Sequence, residues 1–171
     1  MTETTAERLE ELNHSPADHA AAQLAACNAA TRWVGEVLAG RPYPDAAALL
    51  AAADRAARNL GWADVRQALD AHPRIGDQVT GGSAEAAWSR REQAGVGDSA
   101  AATRDALRAG NHDYEQRFGH VFLIRAAGRG ADEILAELRR RLGNQPARER
   151  AEVTEQLAQI TRLRLERLLA S

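Results

Sequence analysis

The chain has 171 residues, enough for one domain with a proper core, and 44% of them are hydrophobic, much of that alanine. A formal charge of −2 leaves no basic field to attract nucleic acid or an anionic membrane. The single cysteine, Cys27, excludes an intrachain disulfide and a cysteine-cluster metal site, and the lack of any lysine excludes Schiff-base chemistry.

In chain order, the first dozen residues are polar and suit a loose helix. Ser15-Pro16 reads as a helix start, with Ser15 as N-cap, and the helix runs from Ala17 to about Ala39 with Leu24, Cys27, Ala30, Val34 and Leu38 inward. Gly40 and Pro42 end it. Asp45 caps a second helix, Ala46 to Arg58, with Leu49, Leu50, Ala53 and Ala57 on one stripe. A short helix from Trp62 to Leu69 is stopped at Asp70-Ala71-His72-Pro73-Arg74-Ile75-Gly76, because Pro73 pushes His72 out of helical geometry. Thr80-Gly81-Gly82 is a flexible turn, and Ser83 caps a helix to about Ala94, closed by Gly95 and Gly97. Asp98 or Ser99 opens the next helix, to Phe118. Val121 to Ile124 is either a buried loop or a lone extended segment. Asp132 to Leu142 is helical, Gly143 ends it, and Pro146 starts a final helix to Leu169.

No pair of strands appears at hairpin or crossover spacing, so the expected fold is an all-α, single-domain bundle of about seven to eight helices spanning residues 1–171. No apolar run approaches the ~20 residues of a spanning helix. The acidic start is unlike a signal peptide, and Leu168-Leu169-Ala170-Ser171 is not a peroxisomal tripeptide, so a soluble cytoplasmic protein is expected.

GxGxxG, P-loop and HExxH motifs are missing. Chemistry would rest on His, Glu, Gln, Ser, Arg and backbone amides. His72 is either a helix-end capping residue or a proton-transfer group facing a cavity, since its ordinary pKa of about 6.5 suits either role near neutrality. Ser89, Glu92 and Gln93 share one helix face, either as a solvated polar face or as a pocket wall. On the last helix, Val153, Leu157, Ile160 and Leu168 form an apolar side with Arg164 in its middle and Arg162 opposite. A guanidinium there needs a partner, either Glu92 or a bound anion. His112, Asp113 and His120 fit no standard ligand spacing, and His14 and His19 are poorly placed for joint ligation, so no metal site is expected. Asn111-His112-Asp113 reads as hydrated helix surface, and Arg139-Arg140-Arg141 as surface charge near a helix C-terminus.

The ordered set of Cys27-Asn28-Ala29-Ala30-Thr31-Arg32-Trp33, Arg41-Pro42-Tyr43, Ala71 to Gly76, Ser89 to Gly95, Phe118 to Ala126 and Ile160 to Leu165 resembles the 2-oxo-4-hydroxy-4-carboxy-5-ureidoimidazoline (OHCU) decarboxylase family. That resemblance implies stereospecific decarboxylation of OHCU to (S)-allantoin in urate breakdown, an all-α fold, no cofactor and a homodimer. It implies His72 as catalytic acid/base with Glu92 as its carboxylate partner, and Pro73, Ser89 and Gln93 lining the site. Phe122, Leu123, Ile124, Arg125 and Ala126 would bind substrate largely through backbone groups, and Arg164 would meet its charge. No site residue is assigned to Gly76 to Gly82, and the chain is too short to hold the transthyretin-like domain fused to some relatives. The competing readings are a ureide hydrolase using water activated by His72 and Glu92, and a non-enzymatic helical interaction module.

Overall fold

Capping residues and helix breakers set most of the architecture. The computed structural model describes residues 4–97 and 99–171, so Asp98 and its expected role in opening a helix lie outside the described residues. Within them there are ten helices and no strand, so the all-α class holds while the expected count of seven to eight is too low. The chain divides into two compact units, Met1–Ala68 with Leu157–Ser171, and Leu69–Gln156.

The first unit holds α1 (Thr5–His14), α2 (Ala17–Cys27), α3 (Thr31–Ala39), α4 (Ala46–Arg58) and most of α5 (Trp62–Leu69). The polar start is a well-formed helix: Thr4 caps the N–H of Glu7, and Glu7 returns a bond to the Thr4 N–H. Because α1 runs to His14, Ser15 becomes its C-terminal cap and Pro16 takes the N-cap position of α2 without a side-chain bond, contrary to the expected Ser15 cap. The single helix expected from Ala17 to Ala39 is broken. Asn28 accepts the Ala30 N–H at 2.9 Å and donates to Thr161 Oγ1 at 3.1 Å, competing successfully with helical bonding. The break resets the phase, so Trp33 and Val37 are buried where Val34 and Leu38 were expected. Trp33 Nε1 donates to the Ala53 carbonyl at 3.0 Å, docking α3 on α4. Asp45 caps α4 through the Ala48 N–H, as its sequence predicts, although Ala56 is buried and Leu50 only partly so.

The second unit holds α6 (Ala84–Glu92), α7 (Ala94–Gly97), α8 (Ala101–Phe118), α9 (Ala131–Leu142) and the first part of α10 (Pro146–Ala170), whose later residues belong to the first unit. Ser83 caps α6 by accepting the Ala86 N–H. The helix stops at Glu92 rather than Ala94, and α8 begins after Ala100, not at Ser99, whose hydroxyl is bonded to the Val96 carbonyl. Helices α8 and α9 pack together at Gly110, where a Cβ would lie 2.7 Å from Leu138 Cδ2. Ile75, Leu107, Tyr114, Phe122, Ile134 and Leu138 form the core of this unit. Among the described residues, no helix is long and apolar enough to cross a membrane.

Candidate active site

Helix α5 ends at Leu69, and the turn that follows closes with the His72 N–H donating to the Leu69 carbonyl at 2.9 Å. Pro73 prevents any continuation. The next three residues are each tied down. Arg74 forms a two-point ion pair with Glu115 at 2.6 and 3.2 Å, and Asn111 Nδ2 donates to the Ile75 carbonyl at 2.8 Å. The Gly76 N–H donates to Gln93 Oε1 at 3.0 Å, at a left-handed φ of 91° that glycine adopts without strain. Asn111 and Glu115 are one turn apart on α8, so that helix supports the turn from one side. Asn111 is therefore buried, unlike exposed His112 and Asp113, and the expected hydrated surface is corrected at that residue.

His72 is half-buried and lines a cleft of 540 Å³ together with Pro73, Ser89 and Ala86. Gln78 and Val79 complete its rim and also line a neighbouring 290 Å³ cleft with Gln93 and Arg90. The segment to which the sequence assigned nothing thus supplies walls to both clefts. Arg90 fixes it there, donating to the Gly81 carbonyl at 2.9 Å and the Val79 carbonyl at 3.4 Å. Volumes of this order suit a small metabolite.

Burial excludes the solvated reading of the α6 face at Ser89 and Glu92. Ser89 and Glu92 are 4% and 8% exposed, while Arg90 and Arg91 face solvent. A carboxylate so enclosed is not a solvated face residue. Gln93 is half-buried at the C-terminal end of α6, its carbonyl end committed to Gly76. Glu92 lines neither cleft.

The segment Phe122–Ala126 forms no regular element and is a buried loop, with Phe122, Leu123, Ile124 and Ala126 all enclosed and Arg125 partly so. It lines neither cleft. Arg141 Nη1 donates to the Leu123 carbonyl at 2.7 Å, and the Arg125 N–H donates to Gln156 Oε1 at 2.8 Å. Arg141, expected on the surface, is 1% exposed, whereas its neighbour Arg140 is exposed as expected. Its Nε and Nη2 both donate to Glu149 Oε1, at 2.8 and 2.5 Å, and its guanidinium carbon sits 4.6 Å from the Phe122 ring centre. Tyr114 donates its hydroxyl to the same Glu149 oxygen at 2.5 Å. Burial, together with that carboxylate, pushes the Tyr114 phenol well above its ordinary value, so it remains a donor.

Arg164 is 3% exposed on α10, in the part that belongs to the first unit, whereas His72 belongs to the second, and Arg162 is exposed and bonded to Asp54 at 2.6 Å. The burial of Arg164 within an apolar stripe is as the helical spacing predicts. Val153, Leu157 and Ile160 share it, with Leu165 and Leu169 buried in preference to Leu168.

An all-α protein with an imidazole at the wall of a small cleft, and a buried carboxylate one turn beyond a buried serine, has the parts of a small-molecule acid–base enzyme. Residues 3–166 match the model of the OHCU decarboxylase family. The chain is 33% identical over 135 residues to a 2-oxo-4-hydroxy-4-carboxy-5-ureidoimidazoline decarboxylase of Amia calva, covering 78% of this chain and 77% of that protein. It is 27% identical over 148 residues to the uric acid degradation bifunctional protein TTL of Arabidopsis thaliana, covering 84% of this chain and 45% of that longer one. The fold is similar to a crystal structure of OHCU decarboxylase determined in the presence of (S)-allantoin, with a TM-score of 0.73, 23% identity, and 86% of this chain and 96% of that chain covered. A structure of (S)-allantoin synthase gives 0.68 at 18% identity, covering 97% of this chain and 54% of that one. The chain belongs to the OHCU decarboxylase family.

Proposed function

We propose that this protein decarboxylates OHCU to (S)-allantoin in urate breakdown, with the whole chain acting as one OHCU-decarboxylase-like domain. The observation that carries the reading is the family match over residues 3–166. The His72 cleft supports it from the chemistry. In OHCU an imine-type carbon adjoins the carbon bearing the carboxylate, so the substrate supplies its own electron sink. The bond to the carboxylate breaks, its electron pair joins the two ring carbons, and the imine nitrogen takes up a proton as carbon dioxide leaves. The protein's part is positioning, electrostatics and controlled proton transfer.

His72 handles the proton of the substrate hydroxyl as that oxygen becomes a carbonyl, and Glu92 keeps the imidazole oriented and basic within an enclosed site. Pro73, Ser89 and Gln93 line the site. Because Gln93 Oε1 is engaged by Gly76, its amide nitrogen is the end left to donate to a substrate oxygen. The backbone of Phe122–Ala126 grips the ureido and ring amides, and the buried Arg164 guanidinium meets the substrate's charge. Delivery of a proton to one face of the enol-like intermediate sets the (S) centre. The protein needs no cofactor for these steps and works as a cytoplasmic homodimer, which light scattering on the purified protein checks.

The test supplies freshly generated OHCU to the purified protein and follows both carbon dioxide and the circular dichroism of the product. Enzyme-dependent carbon dioxide release with accumulation of (S)-allantoin supports the proposal, and accumulation of the opposite hand or of the racemate overturns its stereochemistry. Ureide hydrolysis without carbon dioxide would favour the hydrolase reading, and no turnover would favour an interaction module.

A further inference from the structure

A buried ion pair is weak evidence of stabilisation, because desolvating both charges offsets most of their attraction. The pair formed by Arg141 and Glu149 is 1% and 0% exposed, so its place in the second unit asks for a use beyond stability. Glu149 is saturated: one oxygen accepts from Arg141 and Tyr114, and the other from Asn144 Nδ2 at 3.0 Å. This holds the guanidinium by its Nε and Nη2 edge and leaves Nη1 aimed sideways. That nitrogen meets the Leu123 carbonyl at 2.7 Å, while Phe122 lies against the guanidinium face. Only arginine can grip a carboxylate along one edge and a carbonyl with its remaining nitrogen.

Two residues further on, the Arg125 N–H is taken by Gln156 Oε1. Glu149, Val153 and Gln156 stand at i, i+4 and i+7, so one face of α10 acts on Leu123 through Arg141 and on Arg125 directly. Beyond them the segment is closed by a turn, with the Arg129 N–H on the Ala126 carbonyl at 3.0 Å and Arg129 Nε on the Arg125 carbonyl at 3.1 Å. An irregular stretch with no ladder of its own is thus fixed at the Leu123 carbonyl and the Arg125 N–H by side chains from two helices.

We propose that Arg141, clamped by Glu149, and Gln156 are positioning residues for the substrate-binding segment Phe122–Ala126. They do not touch substrate. They hold the Leu123 carbonyl and the Arg125 N–H so that the backbone meets the substrate already ordered, which lowers the entropy lost on binding. The inference rests on the proposed OHCU reading and on that segment binding substrate.

The experiment measures kcat and KM for OHCU, by circular dichroism of the product, in wild type, Gln156→Leu, Gln156→Glu and Arg141→Lys. A variant that is only partly folded loses apparent kcat and keeps the KM of its folded fraction, so KM reports positioning separately from stability. Gln156→Leu raises KM about 10-fold with kcat nearly retained, and Gln156→Glu, whose carboxylate can accept the same N–H, recovers most of that loss. Arg141→Lys raises KM further, since ammonium cannot serve both partners. If Arg141→Lys fails to fold, the Gln156 pair decides. Wild-type turnover with an unchanged KM in Gln156→Leu overturns the positioning role alone, whereas a wild-type protein that leaves OHCU untouched overturns the functional reading beneath it.

Discussion

The turn carrying His72 and the segment Phe122–Ala126 are both irregular, and both are anchored by side chains of neighbouring helices, but the anchors differ in kind. The turn is held mainly at the surface. The Arg74 and Glu115 side chains are 52% and 23% exposed, while Asn111 reaches it from the interior. The segment is held at the Leu123 carbonyl by a charge pair 1% and 0% exposed, and at the Arg125 N–H by Gln156. Surface ties allow small adjustments at little energetic cost, whereas a buried guanidinium with all its partners in place has one geometry. The group proposed to move a proton sits on the adjustable piece of chain, and the backbone proposed to grip substrate sits on the rigid one.

The largest effect should come from breaking the rigid side. Glu149→Ala leaves the Arg141 charge buried without its partner and should cost about 3–5 kcal/mol of stability, read from urea unfolding followed by helical circular dichroism. Next is the interior tie that Asn111 makes to the turn. Asn111→Leu strips the buried Ile75 carbonyl of its donor, which should cost about 1–3 kcal/mol and lower kcat through the loosened His72 turn. Glu115→Gln, by contrast, weakens a surface pair, so its unfolding midpoint should shift little and the shift should shrink as salt is added. If Glu115→Gln destabilised as much as Glu149→Ala, the distinction between the two anchorages would be lost.

A pH-dependent effect lies beside the rigid network. The Arg140 guanidinium holds the Glu152 carboxyl down at about 2, with help from Asn144. A carboxyl depressed on folding stabilises above its unfolded value of about 4.3 and loses that contribution as pH falls toward its folded value. Arg140→Gln should therefore be less stable than wild type by about 0.5–1 kcal/mol at pH 7, and the gap should close between about pH 4.5 and 2. Unfolding midpoints of the two proteins across that range check it.

Much of the fold was legible wherever the signal was local. Asp45 before an alanine-rich run, Ser83 before Ala84, Pro73 after His72 and Pro146 at a helix start each act on their nearest neighbours, and the boundaries fall where those residues put them. The break at Asn28 was not legible, because half of what stabilises it is Thr161, 133 residues away. The buried state of Arg141 had a signal that the cluster Arg139–Arg141 concealed. It stands three residues after Leu138 and seven after Ile134, on the apolar stripe of α9, the same signature that marks Arg164. At the site, the helical spacing of Ser89 and Glu92 put them on one face, and only packing could decide that the face is buried. Gln78 and Val79 escaped because cleft-lining loops carry no periodicity to read.

The proposed decarboxylation turns on His72 as its proton-transfer group. The most direct measurement compares wild type with His72→Gln, which keeps a polar side chain of similar size in the cleft, by the rate at which (S)-allantoin appears from fresh OHCU. His72→Gln should unfold in a native-like transition, with the catalysed rate reduced about 10²–10⁴-fold and the residual product tending to the racemate of the uncatalysed reaction. A His72→Gln protein that made (S)-allantoin at the wild-type rate would contradict that role.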